Sequence, residues 1–509
     1  MSKVVSAEQA VALIPDGGTL GVSGFRWAGS AELVLRTMAE RFDQAGAPRN
    51  LTLVFSSASG DNVSNGLEHL ARPGLVKRVI GGFFGATPAL AKLVLDGKIE
   101  GYNFPQGQIA RLYGAIASGQ PGLLSRIGLD TYIDPRRGGG KLNAISTETF
   151  HEIVRIRGQE WLLYHAFPIH TAIIRGTTAD TNGNLSLEHE AVTTESLPLA
   201  FAAHNSGGKV IAQVKRVVEV GKIPPRSVTI PGHVVDAVVV AKDIEKEHRQ
   251  CVGSVYDPTL TGEAAVDPAA AEAVVNIPLV RRIVALRAMR ELRAGDVVNL
   301  GQGIPSEISA LVRDTPLASS IRFTIESGVS GGLPQPVPDF GVAKQPESIL
   351  RQDDQFMFYD GGGLDVAFLG FAEIDRLGDL NVSKFGSRVV GCGGFLDIAQ
   401  PAKRLVFCGA FRAGKTEIEV SGGKMRITQE GGASKFVKSI QQLTFNASRG
   451  REGHQRIVVV TERCVFDVVP EGLRLVEVAP GLDLQRDILQ HMEYQPIIAD
   501  PLRPMPLNP

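Results

Sequence analysis

Short runs of β-branched and apolar residues recur along the chain, and several lead into stretches with helical apolar spacing. In the first half, GGTLGVSGF reads as a strand ending in a glycine turn. AELVLRTMAERF then has the spacing of an amphipathic helix, with Ser30 placed to cap it. LTLVFSS, KRVIGGF, GKVIAQV and AVVVA follow as short runs. Runs apolar on both faces suit a parallel sheet covered by helices, and the alternation predicts an open α/β layer fold.

The pattern lapses over residues 246–274. That stretch is charged at first, then rich in Pro, Gly and Ala, with no strand alternation. It predicts a linker between a domain at 1–245 and another at 275–509. The second half then restarts. IVALRAMRELRAGDVVNLGQGIP followed by SEISALV repeats, with a one-residue shift, the helix, strand, Gly-rich turn and helix around IPDGGTLGVSGF. The repeat predicts two similar open α/β domains with a cleft between them. Ligand sites in such sheets lie at the carboxyl ends of strands, often between domains.

Charge narrows the partners. The 509 residues hold 53 Lys+Arg against 54 Asp+Glu, a net charge of −1. No field is available to steer nucleic acid or an anionic membrane, so neither is an expected partner. No apolar run approaches the roughly 18 residues that a span requires. The first apolar stretch is short, carries Glu8 and meets Pro15 and Asp16, unlike a signal peptide. Cys251, Cys392, Cys408 and Cys464 lie far apart without a CxxC pair. Neither a zinc site nor a disulfide framework is expected, and a reducing cytoplasm is the simplest location.

Four local patterns in the second half compete as sites. Gly301-Gln302-Gly303-Ile304-Pro305-Ser306 follows the apolar strand DVVNL and opens the helix SEISALV. Glycines there admit a ligand to the backbone, and the helix start offers N–H groups to negative charge. A dinucleotide fingerprint needs Gly or Ala where Ser306 stands, with an acid roughly 20 residues on, near Glu326. An NAD-linked oxidoreductase is therefore a rival, weakened by Pro305 and Ser306. FTIESG puts Glu326 at a strand end beside glycines, where backbone N–H groups are expected to crowd around the carboxylate. GVSGG at 328–332 fits the hydrolase GxSxG pattern, but the prolines at 334, 336 and 338 exclude the helix that elbow requires. GAFRAGKT at 409–416 fits the Walker A pattern. It runs into the alternating EIEVSGGKMRI instead of a helix, so Lys415 reads as a solvated hairpin residue. A cluster at Gly391, Gly393 and Gly394 either brings amides to a site or simply turns between buried strands.

Taken together and in this order, these segments resemble the class I coenzyme A transferases, in their acetate and propionate CoA-transferase branch. The resemblance runs over nearly the whole chain. It includes NFPQGQIARLYGAIASGQPGLLSRIGLDTYIDPRRGGGKLN, RGTTADTNGNLSLEHEA, NLGQGIP, FTIESG, NVSKFG and GCGGFLDIAQ. It implies two α/β domains of the NagB/RpiA-like CoA-transferase fold with the active site between them. It implies Glu326 as a covalent nucleophile carrying a glutamyl-CoA thioester, with ping-pong transfer of CoA from a short-chain acyl-CoA to a free carboxylate. Gly303 and Gly394 are the implied candidates for oxyanion-hole amides, and Gly301, Pro305, Gln106 and Gly393 for substrate contacts. No metal and no cofactor beyond CoA as a substrate is implied; a homo-oligomer, dimer or tetramer, is expected. A non-catalytic binding protein of the same fold is the other alternative, since fold alone does not fix function.

Overall fold

The structure is a computed structural model, described over residues 2–266 and 277–507. The first half builds a seven-stranded, all-parallel sheet. Its spatial order is Ala237–Val240, Lys209–Val214, Thr171–Arg175, Thr19–Val22, Leu51–Phe55, Val76–Gly81 and Glu100–Asn103. Successive residues of one strand enter opposite layers: Leu53, Val79 and Ile173 pack on one face, Val54, Ile80 and Ile174 on the other. Helices cover both faces, as strands with no polar side require.

The second half builds a ten-stranded sheet with a parallel centre. Arg322–Thr324, Val297–Leu300, Val366–Gly370, Arg404–Cys408 and Arg456–Val460 run parallel in that order. Antiparallel strands extend it on both sides, among them Val329–Ser330 and Cys464–Val469. Val366, Phe368, Val406 and Val458 pack on one face and Ala367, Leu405, Phe407 and Ile457 on the other.

The repeat seen in the sequence marks equivalent strands. Thr19–Val22 and Val297–Leu300 are each the first strand of their parallel sheet, and each has its next strand on one side and a later one on the other. Each is thus the point where the order of connection reverses, and the crevice at its carboxyl end is the place for a ligand.

Two local expectations change, and the stretch between the halves gains a packed form. Ser30 does not cap the following helix, which spans Glu32–Ala45 with Ala31 at its N-cap position. Its first amides, on Leu33 and Val34, donate to Gln213 Oε1 at 2.9 and 3.3 Å, while Ser30 accepts from Ser59 Oγ at 2.7 Å. A side chain from a distant strand has taken the cap. The stretch 246–274, read as a linker, is no free tether over its described part: His248, Gln250, Cys251 and Leu260 are buried. Cys251 and Leu260 share a cluster with Phe25, Ile325 and Phe340. Residues 267–274 of that stretch lie outside the described residues. Finally, the GQGIP turn does not open directly into the helix: a single 3-10 turn at Ile304–Ser306 precedes Glu307–Val312.

The two rejected motifs behave as their sequences require. After GxSxG the chain forms short strands, not a helix. After the Walker-like stretch comes the antiparallel hairpin Glu417–Ser421 with Lys424–Gln429, and Lys415 pairs with Glu417 in solvent. No described helix is long and apolar enough to cross a membrane. The four cysteines are free and buried, and no described cluster of His, Cys, Asp or Glu could hold a metal.

Candidate active site

The carboxyl ends of both parallel sheets converge on one cavity of about 420 Å³. The first half contributes Phe25 and Arg26 from the turn after Thr19–Val22, Ser57 after the second strand, Phe83 after the third and Gln106 after the fourth. The second half contributes Gly301, Gln302 and Gly303 after Val297–Leu300, Glu326 after Arg322–Thr324, and Leu369 to Ala372. The segment from Val390 to Phe395 closes it. Five phenylalanines, at 25, 83, 340, 371 and 395, make the lining largely apolar.

Backbone hydrogen bonds between the halves fix this arrangement. Phe84 N donates to Val390 O at 2.7 Å, Gly393 N to Gly82 O at 2.8 Å, and Gln106 N to Gly393 O at 2.9 Å. The close approach demands glycine: a Cβ on Gly391, where φ is +79°, would stand 2.8 Å from Gly82 O. Behind the wall, Gln108 Nε2 donates to Asp360 and Asp397 at 2.8 Å each, and Gly107 N donates to Asp397 at 3.1 Å. Asp397 and Asp360 are both pushed above the usual carboxylate range, first by burial and then, for Asp397, by the other's charge.

Glu326 stands on a rigid strand end. Thr324 Oγ1 donates to Val298 O at 3.1 Å and accepts from Tyr359 Oη at 2.9 Å, and Asn299 Nδ2 reaches Thr324 O at 3.3 Å. The turn beyond it closes through Gly328 N to Ile325 O at 3.0 Å, and Ser327 Oγ donates to Gly341 O. The side chain is only 9 % exposed, and its Oε2 has no hydrogen-bond partner. Burial raises its pKa to about 7, against the opposing pull of its own amide, Asn299 and the Arg26 charge. Backbone amides therefore do not crowd around this carboxylate as its glycine-rich neighbourhood suggests. A carboxylate with an open oxygen, in an apolar cavity, has lost the water that makes such groups poor nucleophiles.

The other sequence candidates divide. Gly301, Gly303, Gly393, Gly394 and Gln106 all line the cavity with Glu326, whereas Pro305 is buried beneath the turn and does not. The amides of Gly301 and Gly393 are already used, by Phe368 O and Gly82 O. Those of Gly303 and Gly394 donate to nothing among the described residues. Gly303 sits at φ +94°, and a Cβ on Gly394 would lie 3.5 Å from Glu326 Cγ. Gln106 Nε2 is likewise a buried donor without a partner. Sequence reasoning missed the phenylalanines, Asn299 and Arg26. The repeat held the signal for Arg26, since SGFRW occupies in the first half the position of GQGIP in the second.

Two layered α/β sheets meet end to end around a desolvated glutamate, and the cavity between them also holds the unpaired amides of Gly303 and Gly394, an arrangement suited to a covalent group-transfer enzyme. The comparisons give the class its family. The coenzyme A transferase family model matches residues 4–241. The chain is 41 % identical to the caffeate CoA-transferase of Acetobacterium woodii, over 99 % of this chain and 97 % of that one. It is 38 % identical to the acetate CoA-transferase YdiF of Escherichia coli K12, over 99 % and 94 %. The crystal structures of the YdiF acyl-CoA transferase from E. coli O157:H7, as apoenzyme and as thioester complex with CoA, each superpose with a TM-score of 0.93 at 37 % identity, covering 99 % of this chain and 95 % of theirs. The chain belongs to the coenzyme A transferases, and it is an enzyme of that family.

Proposed function

We propose that the protein transfers CoA from an acyl-CoA to a free carboxylic acid through a thioester on Glu326. Glu326 attacks the acyl carbonyl; the C–S bond breaks and CoA leaves as thiolate. The thiolate then attacks the glutamyl carbonyl of the mixed anhydride, releasing the free acid and leaving CoA bound to the enzyme. A second acid reverses both steps, so ping-pong kinetics follow. One thioester replaces another, and the reaction as written needs neither ATP nor a metal; CoA is a substrate.

The observation that carries this reading is Glu326, buried and half unpartnered in the cavity that both sheets build. The unpaired amides of Gly303 and Gly394 suit the oxyanions of the tetrahedral intermediates, where one preorganised donor contributes about 3–4 kcal/mol. The thioester complex of the E. coli relative supports a covalent CoA route of the same kind.

The acyl group is read first as short-chain, acetate or propionate. A second reading, aryl acids, is favoured by the five phenylalanines around about 420 Å³ and by the similarity to a caffeate CoA-transferase. Incubation with acetyl-CoA followed by intact mass tests the route: a covalent CoA adduct is expected, and none in Glu326→Ala. An adduct that persists in Glu326→Ala overturns it. Steady-state rates with acetate, propionate and cinnamate as acceptors decide between the two acyl readings.

A further inference from the structure

Arg26 is the single basic side chain in the lining of the active-site cavity, and the reaction scheme above gives it no task. It is 7 % exposed, and its guanidinium has no hydrogen-bond partner among the described residues. The chain nevertheless holds it there. Its backbone sits at φ +53°, left-handed for a residue with a side chain, pinned by Arg26 N to Ala58 O at 3.0 Å and Gly60 N to Arg26 O at 2.7 Å. The same turn is braced by the buried Arg175, which pairs with Glu190 at 2.6 Å and donates to Ser30 O at 3.0 Å. Burial works against the Arg26 charge and lowers its pKa, while two carboxylates, Glu326 and Asp339, favour it. Asp339 is already engaged by Gly253 N at 2.8 Å. Strained backbone and a cation whose burial works against its charge are both costly, and proteins keep them where a ligand completes the arrangement.

We propose that Arg26 is the anchor for the carboxylate of the acceptor acid. The inference rests on the thioester reading of Glu326. In the free enzyme the cavity holds one anion, Glu326, facing one cation. Once Glu326 carries CoA as a thioester it is uncharged, and Arg26 keeps only Asp339, outside the cavity lining, as a counter-charge. An acid anion restores the balance. One of its oxygens is held by the guanidinium fork while the other attacks the glutamyl carbonyl; the C–O bond forms as the C–S bond breaks, and the electron pair leaves on the CoA thiolate. The free enzyme repels the acid through Glu326, and the loaded enzyme attracts it through Arg26. The alternation of charge orders the two half-reactions and limits dead-end occupation of the free site by acid.

Two measurements test this, with propionate as the acid. In calorimetry near pH 8, propionate is expected to bind Glu326→Gln at least tenfold tighter than the wild type, because that variant carries the charge state of the loaded enzyme. The gain is expected to vanish in the double variant Arg26→Gln, Glu326→Gln. Equal affinity for wild type and Glu326→Gln overturns the proposal. In steady state with acetyl-CoA, Arg26→Gln is expected to raise the KM for propionate at least tenfold with the KM for acetyl-CoA changed less than threefold, and Arg26→Lys to recover part of the loss. Both KM values rising together, or neither, overturns it. Intact mass keeps the two readings apart: a wild type that forms no CoA adduct defeats the thioester route itself, whereas adducts in wild type and Arg26→Gln with an unchanged propionate KM defeat the anchor alone.

Discussion

Replacing Glu326 by glutamine separates the cost of holding a buried carboxylate from the chemistry proposed for it. Burial raises the Glu326 pKa from 4.5 to about 7, and Asn299 and Arg26 only partly oppose it. A carboxyl with a raised pKa holds its proton more tightly in the folded chain than in the unfolded one. Folding is therefore penalised where the group has to ionise, above about pH 7, and the penalty fades as pH falls toward the unfolded value. At roughly 1.4 kcal/mol per unit, the full penalty is about 3 kcal/mol. Glutamine has nearly the same shape and cannot ionise. Glu326→Gln is expected to be more stable than the wild type by about 3 kcal/mol near pH 8.5 and by about 1 kcal/mol near pH 5, the two curves meeting below pH ~4. Unfolding midpoints measured across that range, with calorimetric enthalpies to convert them, give the difference directly. A gap that is flat with pH, or that widens on acidification, would refute the claim that desolvation dominates at this carboxylate. The same variant is expected to form no CoA adduct, so the gain in stability and the loss of function come from one side chain.

The remaining expectations follow from particular atoms. The rate of CoA-adduct formation at low acetyl-CoA is expected to fall about tenfold per pH unit below about pH 7 and to level off above it, because in the proposed route only the Glu326 anion attacks. Gly394→Ala puts a methyl 3.1 Å from the Phe356 ring and 3.5 Å from Glu326 Cγ, and stopped-flow adduct formation is expected to slow by about 100-fold with the chain still folded. Gly107→Ala brings a Cβ to 2.5 Å from both Asp397 Oδ1 and Phe356 Cγ, at the seam between the halves; thermal unfolding is expected to report a loss of about 1–3 kcal/mol. Lys415→Ala is expected to leave activity unchanged and to shift stability by less than about 0.5 kcal/mol, since its ion pair with Glu417 lies in solvent.

What the sequence revealed of this protein follows the range of each signal. Strands apolar on both faces announced the parallel sheets, and the restart at NLGQGIP announced a second one, because periodicity and turn chemistry are local. The position of Glu326 at a strand end was legible for the same reason: a strand, an acid and a glycine turn lie within six residues. Ser30 misled because the acceptor that caps its helix, Gln213, lies some 180 residues away and displaces the local candidate. The packing of the segment before residue 267 was not legible because its apolar residues are sparse, yet Cys251 and Leu260 brace the same cluster as Ile325, the neighbour of Glu326. The glycines illustrate the limit most sharply. Gly301, Gly303, Gly393 and Gly394 look alike in sequence, and their chemistry differs only by which amide is already bonded. That is settled by contacts such as Gly393 to Gly82 and Phe84 to Val390, between residues about 300 positions apart. The same contacts turn the carboxyl ends of the two sheets toward each other. They give the cavity a cation from one half and an anion from the other, although neither half carries a motif for the pair.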